Sequence, residues 1–199
     1  MRHTLPCTID IDTHVTRDWF TTKVDKMLPK LTVVLGGAAS GKSLWAENLL
    51  LTSALEPVYL ATSRSFDAEI KSKIEVHQTR RQETWLNLEA DLDLAPDLQA
   101  RSASQGVLID CATMWLSNHM LDGRDHQLAQ TDLLTALAAC AAPVVIVSNE
   151  VGHGIVPDNA LARAFRDAQG QLNSALAAQA ELAVMVIAGL PQVLKGTLP

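Results

Sequence analysis

The chain has 199 residues and a formal net charge of −6, with 48% of its residues hydrophobic and 19% charged. That length suits one substantial domain, and the apolar fraction supplies a core and excludes disorder over most of the chain. The acidic balance argues against a protein that grips nucleic acid through a basic field, so any phosphate it binds must be held locally.

Residues 1–30 show poor periodicity and end near Pro29. They are expected to be an N-terminal extension, disordered or wrongly assigned, with translation starting at Met27 and residues 31–199 forming a nucleotide-binding domain. Asp10 and Asp12 interrupt the place where a secretory leader needs an apolar run, and no run approaches the roughly 18 apolar residues of a membrane span. Cys7, Cys111 and Cys140 form neither a CxxC pair nor a zinc spacing, which fits a reducing, cytoplasmic setting.

From Leu31 onward, short apolar runs alternate with helix-length segments. LTVVL (31–35), VYLA (58–61), VLID (107–110), VVIVS (144–148) and LAVMVIA (182–188) are apolar at nearly every position, as in strands covered on both faces. A further short strand is expected near Thr84 to Leu88. Helices are expected over 43–54, 67–81, 127–141 and 159–180, the last with Leu161, Phe165, Leu172 and Leu176 roughly a helical repeat apart. The alternation predicts an α/β fold, a mostly parallel sheet with helices on both faces.

Directly after the first apolar run stands Gly36-Gly37-Ala38-Ala39-Ser40-Gly41-Lys42-Ser43, a GxxxxGK[ST] motif between a strand and a helix-forming stretch. The glycines let successive N–H groups turn toward a polyphosphate and the next helix adds its positive end. Lys42 reaches the β and γ phosphates, and Ser43 offers a hydroxyl to Mg²⁺. The expected class is P-loop NTPase-type (RecA-like). Asp110, at the end of VLID, is the carboxylate expected to orient Mg²⁺ or its waters, in preference to the other role its position allows, an N-cap for the helix that follows. Glu150 is the alternative carboxylate.

Of six histidines, His77 stands apart. A helical period puts Ile70, Ile74 and His77 on one face, with Arg80 and Arg81 just beyond. Neutral imidazole can attack an α phosphate while guanidinium groups neutralise the developing charge; a lone helical histidine is also commonly an ordinary surface residue.

These pieces together resemble the bifunctional adenosylcobinamide kinase / adenosylcobinamide-phosphate guanylyltransferase family of cobalamin biosynthesis, from about Leu31 to Gly196. The resemblance rests on GGAASGKS (36–43) followed by Ala46-Glu47, YLATS (59–63), Asp67-x-Glu69-Ile70 and Lys73-Ile74-x-x-His77. It extends through Trp85 and Glu89, Asp110-Cys-x-Thr113-x-Trp115-Leu-x-Asn118 and, most specifically, SNEVGHGIVPDNALARAFRDAQGQLN (148–173).

The resemblance implies two reactions. A nucleoside triphosphate phosphorylates the aminopropanol hydroxyl of adenosylcobinamide, and GTP then guanylylates a histidine that passes GMP to adenosylcobinamide phosphate. It points to His77, Lys42 and Asp110 as catalytic, and to Arg80, Arg81, Glu89 and Asp110, besides the loop, as nucleotide-binding. It also implies Ser43 and Asp110 beside Mg²⁺, ATP and GTP as substrates, and a homotrimer. Gly152 and Gly154 read as loop-shaping, and Arg163 and Arg166 as readily paired surface charges. At position 39 the family usually has Arg where this chain has Ala. A plain P-loop small-molecule kinase and a nucleotide-binding regulatory module are the competing readings.

Overall fold

The structure is a computed structural model that describes residues 27–64 and 84–199. The expected extension up to residue 26 and the expected helix 67–81, with His77, Arg80 and Arg81, lie outside the described residues. In chain order the elements are β1 (Leu31–Gly36), α1 (Lys42–Leu51), β2 (Glu56–Ala61), β3 (Leu86–Glu89), α2 (Ala95–Gln99) and β4 (Gln105–Asp110). There follow α3 (Ala112–Leu121), α4 (His126–Ala139), β5 (Val144–Asn149), α5 (Ala160–Gln179), β6 (Leu182–Ile187) and β7 (Leu190–Lys195).

The strands form one sheet in the order β3-β2-β4-β5-β1-β6-β7, parallel throughout except for β7, which pairs antiparallel with β6. All six residues of β1 are buried, the pattern that a near-continuous apolar run demands of a central strand. Alternate β1 side chains feed two cores. Leu31, Val33 and Leu35 join a cluster with Leu98, Trp115, Leu116, Leu137, Leu172 and Leu176 from α2 to α5. Val34 joins Trp45, Leu49 and Leu50 of α1 and Val184 and Val186 of β6 on the other face. Each such aliphatic side chain withdrawn from water contributes about 1.5–3 kcal/mol.

Leu28 packs into the second cluster, while the Lys30 N–H donates to Glu181 Oε2 at 2.8 Å and the Lys30 ammonium to the Cys140 carbonyl. The later helices start on side-chain caps. Asp125 Oδ1 accepts from the N–H groups of Gln127 and Leu128, and Asn159 Oδ1 from those of Leu161 and Ala162. No helix among the described residues is long and apolar enough to cross a membrane.

The short α2, with Pro96 in its first turn, was not expected, and two further features depart from the sequence reading. The last apolar run ends as a strand at Ile187, because Ala188 and Gly189 take φ of +52° and +80° and turn the chain through a two-residue hairpin into β7. β7 itself (LPQVLK) carries a proline and is largely exposed, which an edge strand tolerates and an apolar-run criterion overlooks. Leu172 is fully buried and Leu128 exposed. Leu172→Ala should therefore cost about 3 kcal/mol in chemical denaturation and Leu128→Ala less than about 0.5.

Candidate active site

The sheet delivers β1 to a turn that only glycine fits at two points. A Cβ on Gly36 would lie 2.4 Å from Ser40 Oγ and 2.8 Å from the Val186 carbonyl oxygen. Gly41, the N-cap of α1, has φ of +90°, and a Cβ there would meet Gly189 Cα at 3.1 Å. The β6–β7 turn braces the loop from behind, with the Gly189 N–H donating to the Ser40 carbonyl at 2.8 Å. Among the described residues no side chain caps α1 and no acid occupies its first turn. Its amino-terminal N–H groups and dipole are left for an anion.

Lys42 opens α1 and curls back, its ammonium donating to the Gly37 carbonyl at 3.0 Å. Partial burial lowers its pKa, opposed by neighbouring Cys111 and Asp110. Complete burial, reinforced by Asp110, pushes the Cys111 thiol up to about 11. The thiol is thus neutral at pH 7. Asp110 ends β4, one strand removed from β1, and its Oδ2 accepts from the Tyr59 hydroxyl at 3.1 Å. It does not cap α3. Cys111 occupies that N-cap position, so of the two roles its sequence position allowed, capping goes unused. The same end of the sheet carries Glu89, exposed on β3; Glu89 and Asp110 are both register partners of Ala61, which sets their backbones roughly 10 Å apart.

Three groups that the sequence reading left without a role hold this arrangement. Thr62 Oγ1 accepts from the Cys111 N–H and donates to the Cys111 carbonyl, both at 2.7 Å. Asn118 Nδ2 donates to the carbonyls of Thr62 (2.8 Å) and Asp91 (2.9 Å), and Thr113 Oγ1 accepts from the Asn149 N–H (2.7 Å). These bonds lay α3 across the ends of β2, β3 and β5. Arg64 ties the chain to Asp91 and, through two bonds of 2.8 Å, to Asp122, whose carboxyl it holds below its ordinary pKa.

The block after β5 is built around a buried polar network. The Ser148 hydroxyl donates to Asn173 Oδ1 (2.6 Å), Gln169 Nε2 donates to both, and Asn173 Nδ2 donates to the Asn149 carbonyl (3.0 Å). Glu150 is absorbed by the loop. Its N–H donates to the Gly36 carbonyl at 3.0 Å and its Oε1 accepts from the Gly152 N–H at 2.6 Å. Among the described residues Arg163 and Arg166 pair with no carboxylate; they donate to the carbonyls of Pro157, Asp158 and Gly152.

Among the described residues no group of three or more His, Cys, Asp or Glu is placed to hold a metal. Ser43 and Asp110 are hard oxygen donors, which fits a Mg²⁺ ion that completes its shell with phosphate oxygens and water.

Two outcomes follow. Gly36→Ala and Gly41→Ala should each lower stability by about 1–3 kcal/mol. Gly37→Ala, where a Cβ meets nothing within 4 Å, should stay within about 0.5 kcal/mol by the same denaturation assay. His119, whose Nε2 lies 3.2 Å from the Leu92 carbonyl, has its pKa lowered by burial. Its neutral form is the folded one, so the stability it contributes is intact above an unfolded pKa near 6.5 and is lost as pH falls below that value. The melting temperature should drop more between pH 7.5 and 5.5 in the wild type than in His119→Gln; an equal drop would show that His119 plays no part.

Comparison with known proteins completes the description. Residues 32–194 match the model of a family described as cobinamide kinase / cobinamide phosphate guanyltransferase. The chain is 39% identical over 167 residues to the bifunctional adenosylcobalamin biosynthesis protein CobP of Pseudomonas aeruginosa, covering 82% of this chain and 96% of that one. It is 37% identical over 176 residues to the protein CobU of Escherichia coli, covering 80% and 97%. Among solved structures it resembles an ATPase of a bacterial type III secretion system (TM-score 0.52, 10% identity, 83% of this chain and 57% of that one). It also resembles a Pyrococcus horikoshii protein (TM-score 0.53, 8% identity, 91% and 92%), and both likenesses concern the fold alone.

Proposed function

The chain belongs to the cobinamide kinase / cobinamide phosphate guanyltransferase family of cobalamin biosynthesis, and from that premise we propose how residues 31–199 divide the two reactions. The observation that carries the proposal is the amino end of α1, which no side chain among the described residues caps, with Lys42 as its first residue and Asp110 among the charges that act on it.

For the kinase step, the triphosphate of ATP or GTP lies along the N–H groups of residues 36–43, and Lys42 holds the β and γ phosphates. Ser43 and Asp110 are the residues that would hold Mg²⁺, which when bound neutralises charge on the phosphate oxygens. The tie to Tyr59 fixes the Asp110 carboxylate against the sheet end. The acceptor hydroxyl forms its bond to the γ phosphorus as the bond to the bridging oxygen breaks; the nucleoside diphosphate leaves and the hydroxyl proton passes to water.

For the transferase step, neutral His77 attacks the α phosphorus of GTP. A P–N bond forms, the bond to the leaving oxygen breaks and pyrophosphate departs, with Arg80, Arg81 and Lys42 neutralising charge. A phosphate oxygen of adenosylcobinamide phosphate then attacks that phosphorus, the P–N bond breaks, and the imidazole is regenerated with adenosylcobinamide-GDP as product. His77, Arg80 and Arg81 lie outside the described residues. Their assignment rests on the Lys73-Ile74-x-x-His77 pattern and on family membership. Glu89 is assigned to the nucleotide as a hydrogen-bond acceptor. The enzyme works in the cytoplasm, a setting that the free thiols of Cys111 and Cys140 suit, and the family resemblance supports a homotrimer.

Incubation with α-labelled GTP tests the proposal. The wild type should acquire acid-labile, alkali-stable label, His77→Ala none, and Asp110→Asn should lose at least a hundredfold in cobinamide phosphorylation. Wild-type protein that stays unlabelled yet phosphorylates cobinamide would instead be a plain kinase.

A further inference from the structure

The phosphate chemistry leaves most of the 148–173 block unused. Its loop springs from the phosphate turn itself, through the bond from the Glu150 N–H to the Gly36 carbonyl. It is fastened along its length by Glu150, Arg166, Arg163 and the Asn159 cap. Yet this tied loop turns its aliphatic side chains outward, with Ile155 97% exposed and Val156 61% exposed. Three residues after Val156, Asn159 borders a groove of about 230 Å³ whose walls are mainly Met120, Leu121, Leu161 and Phe165. Leu121 and Leu161 are themselves 62% and 54% exposed. Exposed aliphatic side chains on a tied loop, three residues along the chain from an apolar groove, suit a recognition surface.

We propose that this shelf, formed by Ile155, Val156 and the groove between α3 and α5, receives the corrin macrocycle of the acceptor. The proposal rests on the cobinamide reading above and deepens it. Asp110 ends β4 and is among the charges that act on Lys42, and α3 departs from β4 at the very next turn of chain. From Ala112 to Leu121 that helix extends roughly 14 Å. A corrinoid presents its reactive hydroxyl at the end of a flexible arm, so its ring must sit about an arm's length from the phosphate rather than on it. The ring's methyl-studded faces suit the aliphatic shelf, and its rim of amides suits the polar border made by Ser117 and Asn159. Another exposed apolar strip among the described residues, Ile187, Leu190, Val193 and Leu194, lies on β6 and β7 about the turn that braces the phosphate loop from behind, on the side away from Asp110.

The test uses the full chain with Ile155→Ser/Val156→Ser and, separately, Leu121→Ser/Leu161→Ser, all at exposed positions. Steady-state rates are measured against cobinamide and against GTP, with sedimentation velocity on each protein. The expected result is at least a tenfold rise in KM for cobinamide in both double variants, with KM for GTP within twofold and the sedimenting mass unchanged. An unchanged cobinamide KM, in a wild type that turns cobinamide over, overturns the docking surface alone. A fall in oligomeric mass accompanying the KM change overturns it in favour of a contact between copies of the chain. A wild type that never uses cobinamide removes the functional reading and this inference together.

Discussion

The open amino end of α1 is the constraint around which the rest of the molecule is arranged. A chain with net charge −6 has no general attraction for phosphate, so it needs a place where backbone N–H groups are left without partners and aimed outward. A fully buried β1 fixes where the turn begins, Gly36 and Gly41 let the backbone pass where a Cβ would strike Val186 or Gly189, and the β6–β7 hairpin closes it from behind. Lys42 then adds the single charge that must be local. Its partial burial lowers its pKa, and neighbouring Cys111 and Asp110 oppose that shift.

A second support holds the other side of the site. Thr62, Thr113 and Asn118 use short side chains to bind backbone groups at the ends of four elements, and the Ser148–Gln169–Asn173 network fastens α5 to the end of β5. Leaving any one of these buried partners unsatisfied costs about 1–3 kcal/mol, so the network specifies one geometry rather than a family of them. The loop after β5 inherits that rigidity, and with it the outward-facing Ile155 and Val156.

The five central strands and the phosphate loop were legible because their signals are local: continuous apolar runs, and a motif whose glycines and lysine sit at fixed spacing. Asp110 was legible as a carboxylate at a strand end, but that it does not cap the next helix depended on the helix beginning one residue later, with Cys111 as its N-cap. The Tyr59–Asp110 bond, the double bond of Thr62 to Cys111 and the turning of Arg163 and Arg166 to carbonyls leave no trace in spacing. Their partners lie 51, 49 and 14 residues away in the cases of Tyr59, Thr62 and Arg166. β7 was hidden for another reason. Its proline and polar exposure are what an edge strand permits, and the Ala188–Gly189 turn that creates it lacks the Asn-Gly signature.

The central claim is that a polyphosphate seats on the amino end of α1 under Lys42, and equilibrium binding of GTP in the presence of Mg²⁺ tests it most directly. Removing the charge-assisted contacts of the ammonium should weaken binding by about 100-fold or more in Lys42→Ala while the melting temperature stays near that of the wild type. Equal affinity in the two proteins would place the nucleotide elsewhere and contradict the account.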